Sequence, residues 1–255
     1  MGAEITIGVL GPVAVDGAAR PFRRSASLEL VAYLSVHREG AASSEWPVAL
    51  WPDRAVSSAT VHSTASDARR ALGRDANGVP RLPCGSPLRL HTSVVTDVDR
   101  FAALARTRSR QAWLEAAGLL RGPVFGGLRR ADWAVLDGTR AHIEGLVVHT
   151  VLHAAASLRR DGRAAEAEWI VRRGILASPY DERLYRSLLR ALAAQGNRTG
   201  MRAAMTQLLA VAQEARPTLR EWEGGRSEAL HPETTGLYRE LLRPGPAPGG
   251  APARL

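Results

Sequence analysis

The stretch Ser57-Ser58-Ala59-Thr60-Val61-His62-Ser63-Thr64-Ala65-Ser66-Asp67-Ala68-Arg69-Arg70-Ala71-Leu72-Gly73 constrains this chain more than any other. Val61, Ala65, Ala68 and Leu72 recur at four, three and four residues, which places them on one face of a helix. Ser58, His62, Ser63, Ser66, Asp67 and Arg70 fall on the other faces. A hydroxyl at Ser57 or Ser58 can accept one of the orphan N–H groups of the first turn. Gly73 suits a left-handed stop directly after the last apolar residue. Such a helix can pack its small-residue face on two others and still offer its polar face to a partner. In a helix-turn-helix that partner is the DNA major groove.

The flanking segments supply the setting. Ile5, Ile7 and Val9 alternate, Gly11-Pro12 punctuates, and Val13 and Val15 alternate up to the hairpin signal Asp16-Gly17. Two short strands are therefore expected within residues 4–22. Leu28, Val31, Ala32 and Leu34 predict a first helix over residues 25–38, with Ser25 or Ser27 as cap and Glu39-Gly40 as its end. A second helix is expected from Ser43-Ser44 through Trp46, Leu50 and Trp51, closed by Pro52. After Gly73, two extended pieces, Val79–Leu82 and Leu88–His91, are joined by Pro83-Cys84-Gly85-Ser86-Pro87 as a hairpin or wing. Two strands, three helices and a wing describe a winged helix of the response-regulator type.

From Thr96 onward the periodicity is helical. Asp97 and Asp99 suit a helix start and Phe101, Leu104 and Ala105 its inner face. Further helices are expected over residues 109–120, one long helix over 132–160, then 163–177, 181–195, 199–214 and 232–242, with a break at 122–127. Asp161-Gly162 and Gly196-Asn197 make tight turns inside two helical hairpins, and their glycines stand 34 residues apart. That is the tetratricopeptide period. A single hairpin cannot bury its apolar face, so stacking supplies the core. The expected fold is mainly α: a winged helix-turn-helix with short strands (residues 1–95), a tetratricopeptide-like helical repeat domain (96–243), and a Pro/Gly-rich disordered tail (244–255).

Composition narrows the function. The net charge is +9, all of the basic residues are Arg, and Lys is absent. Ten Arg and eight acids lie in residues 1–95, against 24 and 17 in the rest. The excess therefore sits mostly outside the winged helix, where a solvated helical surface accounts for it. No apolar run is long enough to span a membrane, and the start does not read as a secretory signal. Met1-Gly2 with Thr6 begins a myristoylation pattern, but Ile5, Ile7 and Val9 read better as a strand. Cys84 stands alone in a turn, which excludes an intrachain disulfide and suits a reducing cytoplasm.

Catalytic chemistry finds no constellation. His149 and His153 are four apart on a helix, a spacing that can hold zinc, with His142 further off, but no carboxylate joins them. Without Lys there is no phosphate loop, and no Gly-x-Ser-x-Gly elbow occurs. Trp46, Trp51, Trp113, Trp133, Trp169 and Trp222 are spread along the chain at core-like positions. No enzyme activity, cofactor or metal is expected.

Several stretches together resemble the antibiotic regulatory protein family of actinobacterial transcriptional activators. Ile7-Gly8-Val9-Leu10-Gly11-Pro12-Val13 is similar to its opening strand and Leu28-Glu29-Leu30-Val31-Ala32-Tyr33-Leu34 to its first helix. Ala49-Leu50-Trp51-Pro52 and Ala68-Arg69-Arg70-Ala71-Leu72-Gly73 resemble the ends of its second and third helices. Thr96-Asp97-Val98-Asp99-Arg100-Phe101 resembles the start of its transcriptional activation domain, within which Leu119-Leu120-Arg121-Gly122 lies. The resemblance implies a DNA-binding winged helix followed by a bacterial transcriptional activation domain. On this reading Ser58, His62, Ser63, Ser66 and Arg70 meet the duplex, Arg69, Arg81 and Arg89 position it through phosphates, and the helical repeats bind a protein partner or a second copy. One residue departs from the pattern: Asp67 stands where the family usually has a basic residue, and a carboxylate there repels phosphate. The alternative is a signalling or scaffolding module of the same fold that does not bind DNA, including as the terminal part of a longer protein.

Overall fold

The computed structural model describes residues 5–220 and 230–243, so Trp222 and the expected tail lie outside the described residues. The contacts form two compact units, one running to Val151 and including Leu176–Pro179, the other comprising Leu152–Ile175 and the chain from Tyr180.

The first unit opens on a three-stranded sheet of order β2-β1-β3. Strand β1 (Ile5–Gly8) pairs antiparallel with β2 (Ala14–Asp16), Thr6 opposite Asp16, and parallel with β3 (Val94–Thr96), Ile5 opposite Val94. The third strand was not expected. Its three residues are too few to show alternation, and its partner lies far away in sequence.

Three helices follow the hairpin: α1 (Ser25–Val36), α2 (Trp46–Leu50) and α3 (Ser58–Leu72). Leu30, Leu34, Leu50, Ala68 and Leu72 are buried together with Ile5 and Ile7. Neither Ser25 nor Ser27 caps α1; the cap position is Arg24, without a side-chain bond. Ser27 is buried instead, and its hydroxyl donates to the Thr64 carbonyl at 3.0 Å. Helix α2 is shorter than expected. It begins at Trp46-Pro47, because proline is tolerated only in the first turn.

Helices α4 (Asp97–Thr107) and α5 (Arg110–Gly118) are capped by the hydroxyls of Thr96 and Ser109, which accept from Asp99 N and Ala112 N. The long helix expected over 132–160 is two, α6 (Asp132–Leu136) and α7 (Thr139–Arg160). Gly138, at φ +77°, ends the first, and Asp137 Oδ1 accepts Thr139 N at 2.9 Å to begin the second. Trp133 sits edge-on to Tyr33 at 4.9 Å and to Phe125 at 5.1 Å. Buried Glu29 meets Arg130 at 3.3 Å.

One polar lock joins the sheet to this helical layer. The buried Asp97 carboxylate accepts Val9 N and Leu10 N, both at 2.9 Å, and meets Arg121 Nη2 at 3.3 Å. Arg121 also donates to the Pro12 carbonyl at 2.9 Å. Burial pushes the Asp97 carboxyl above the usual carboxylate range, against the pull of those N–H groups and of Arg121. From the sequence alone Asp97 is only an acid in a first helical turn.

In the second unit the elements are the end of α7, α8 (Ala164–Ala177), α9 (Glu182–Ala194), α10 (Arg198–Arg220) and α11 (Pro232–Leu242). The two expected turns share one hydrogen-bond pattern. At φ +74°, Gly162 N donates to Arg159 O and Arg163 N to Leu158 O. At φ +68°, Gly196 N donates to Ala193 O and Asn197 N to Leu192 O. A left-handed residue is needed at each site, and glycine adopts it without a Cβ clash. Leu158, Ala167, Val171, Leu188, Leu192, Met201 and Leu208 are buried, whereas Trp169 is 43% exposed, against the expectation that all the tryptophans pack inside. Helix α11 is pinned to α9: Glu182 accepts His231 N at 3.0 Å and the buried Thr234 hydroxyl at 2.6 Å.

Candidate nucleic-acid interface

Helix α3 begins and ends as its sequence dictates. Ser57 is the cap, its hydroxyl accepting Thr60 N, and Gly73 follows at φ +68°. Ala65, Ala68 and Leu72 are buried and Val61 is half-buried. Ser58, His62 and Arg70 are exposed, and Ser66 is half-buried between them. These four stand at intervals of four residues and form one slanting row across the outward face of the helix. Ser63 flanks the stripe, half-buried, its hydroxyl committed to the Thr60 carbonyl at 3.0 Å. Arg69 lies half-buried on the opposite border.

Asp67 is not on the outward face. It is 3% exposed, its Oδ2 accepts Arg23 N at 3.1 Å, and its Oδ1 lies 3.6 Å from Arg70. The cause is a loop from elsewhere in the chain. Ala19 N and Arg20 N both donate to the Ala71 carbonyl, Arg23 N to Asp67, and Ser27 to Thr64, so residues 19–27 cover that edge of the helix. The expected repulsion between Asp67 and a phosphate on the outer face is therefore corrected: its carboxylate is turned inward and its charge is paired.

Arg81 is corrected likewise. It is 5% exposed, and its guanidinium donates to the Leu72 carbonyl at 3.1 Å, so it finishes the end of α3 and cannot reach a phosphate. Arg89 is exposed, with Nε and Nη2 donating to the Glu39 carbonyl at 3.0 and 2.7 Å. The expected wing has no regular strands. Its extended pieces meet through His91 N to Arg81 O, and they form isolated bridges, Arg74 to Pro80 and Ala41 to Leu88. The intervening prolines, Pro80, Pro83 and Pro87, lack the N–H groups a longer ladder needs.

The loop at 19–24 supplies further cations that the helical periodicity does not single out. Arg20 and Arg23 are exposed and border, with Arg70, a polar depression of about 150 Å³. Only their identity as cations ahead of the first helix could have flagged them. His149 and His153 are both exposed on α7, and among the described residues no group of three metal-ligating side chains occurs. No helix among the described residues is long and apolar enough to cross a membrane.

The model of the bacterial transcriptional activator domain matches residues 94–242. The chain belongs to this family. The match takes in β3 and helices α4 to α11, while α3 lies ahead of it. Membership in a family of transcriptional activators, which is not an enzyme class, bears out the resemblance to the antibiotic regulatory proteins. A solved structure of Mycobacterium tuberculosis EmbR in complex with a low affinity phosphopeptide shares the fold, with a TM-score of 0.56 and 24% identity. The alignment covers 94% of this activator-family chain but 65% of the mycobacterial one. No curated protein matches the chain. The mainly α fold, with short N-terminal strands ahead of a helical domain, stands as expected, though the wing lacks the regular strands foreseen for it.

Proposed function

We propose that this activator-family chain regulates transcription by binding duplex DNA through the winged helix, residues 1–95, while the helical domain, residues 96–243, binds a protein partner or a second copy. Ser58, His62, Ser63 and Ser66 read the groove, and Arg69, Arg70 and Arg89 contact its phosphate borders. The observation that carries this reading is the outward stripe Ser58, His62, Ser66 and Arg70, which is polar, unobstructed by the loop at 19–27, and free of an outward carboxylate. Hydroxyl, imidazole and guanidinium groups are the types that meet base edges and phosphate oxygens. Such a regulator works on the chromosome, in the cytoplasm, which suits a chain with a single exposed thiol at Cys84.

The test is a titration of the full chain with random-sequence duplex across a salt series. Binding that weakens linearly on a log–log plot with a steep negative slope is expected, because each neutralised phosphate releases counterions. Indifference to duplex at low salt would overturn the reading and leave a scaffolding module of the same fold.

A further inference from the structure

The depression at the end of α3 is a more defined object than the stripe it terminates. Arg20, Pro21, Arg23, Asp67, Arg70 and Ala71 line it. Three of these six are cations, and the one acid is its buried floor. The oxygens of Asp67 are engaged by Arg23 N and by Arg70, so the acid orients its surroundings more than it repels. The Arg20 and Arg23 side chains are exposed, and that of Arg70 is 57% exposed. Their backbone, by contrast, is fixed: Ala19 N, Arg20 N and Arg23 N are all bonded to α3. A fixed backbone under exposed guanidinium groups lowers the cost of gathering their donors on one anion, because only the side chains remain to be ordered.

Position gives the anion its identity. From Ser58 to Arg70 the stripe runs twelve residues, about 18 Å at the helical rise. The N-terminal residues of a recognition helix meet the base edges, so Arg70, at the other end of that row, stands where the phosphates of a bordering strand run.

We propose that Arg20, Arg23 and Arg70 form one seat for a backbone phosphodiester of the bound duplex, with Asp67 holding the loop and Arg70 in place as a positioning residue. The seat rests on the DNA-binding reading above. It adds two contacts from a loop outside the helix-turn-helix, and it fixes how far along its axis α3 enters the groove.

The experiment compares the salt dependence of duplex binding by the full chain and by the double variant R20Q/R23Q. Neither side chain is part of the packed core, so the variant keeps its fold, which circular dichroism checks. The slope of log affinity against log salt should shrink by about 1 for each arginine removed. The variant R106Q, which removes an exposed charge on α4, should leave the slope unchanged. If the wild-type chain binds and the double variant keeps the full slope, the seat is overturned while the DNA-binding reading survives. A wild-type chain that does not bind at all overturns both.

Discussion

The two units are assembled by different kinds of contact. In the first, the decisive polar bonds come from far away in sequence: Asp97 to Val9 across 88 residues, Arg23 to Asp67 across 44, Ser27 to Thr64 across 37. In the second, the two turns that set the hairpins close within a few residues and repeat the same bonds at Gly162 and Gly196. Its longer-range polar bonds join neighbouring helices, Gln195 to Glu168 across 27 residues and Glu182 to Thr234 across 52. Local chemistry shapes the repeats; loops arriving from elsewhere shape the face proposed to meet DNA.

This contrast can be broken at its strongest point first. Asp97→Ala leaves two buried N–H groups without an acceptor and removes the partner of Arg121. Losses of that kind cost about 3 kcal/mol together. Urea unfolding should show a large fall in midpoint, and a change within error would mean that the lock at β1 does not hold the first unit. The second unit should respond more mildly. Gly162→Ala and Gly196→Ala each force an L side chain into a left-handed conformation, at about 1–2 kcal/mol. Because the bonds around them match, thermal unfolding should show two similar losses, and a marked inequality would deny that the turns are equivalent.

The same contrast explains what could be read from the chain alone. The caps Ser57, Thr96 and Ser109, the glycine stops, and the 34-residue spacing were legible because each acts within a turn or two of helix. So was the apolar face Ala65, Ala68 and Leu72, since helical spacing needs no knowledge of the neighbour. The split of α6 from α7 was marked by Asp137-Gly138, a left-handed glycine stop that the apolar periodicity on either side overrode. What periodicity does not contain is which border of a helix a distant loop will cover. Asp67 and Arg81 are charged, so a reading from polarity puts them outside; each is buried because backbone groups, Arg23 N and Leu72 O, take up its polar atoms. Strand β3 escaped for the same reason, as three residues gain strand character only from their partner.

Asp67→Arg puts the whole picture at risk in one protein. With residue 67 turned inward against the loop at 19–27, the larger cation cannot be housed, Arg23 N loses its acceptor, and the loop that carries Arg20 and Arg23 is released. Measured side by side, unfolding should show a loss of about 1–3 kcal/mol, and duplex binding should weaken despite the added positive charge. Unchanged stability together with tighter duplex binding would contradict this, because that is the behaviour of a carboxylate pointing outward at phosphate.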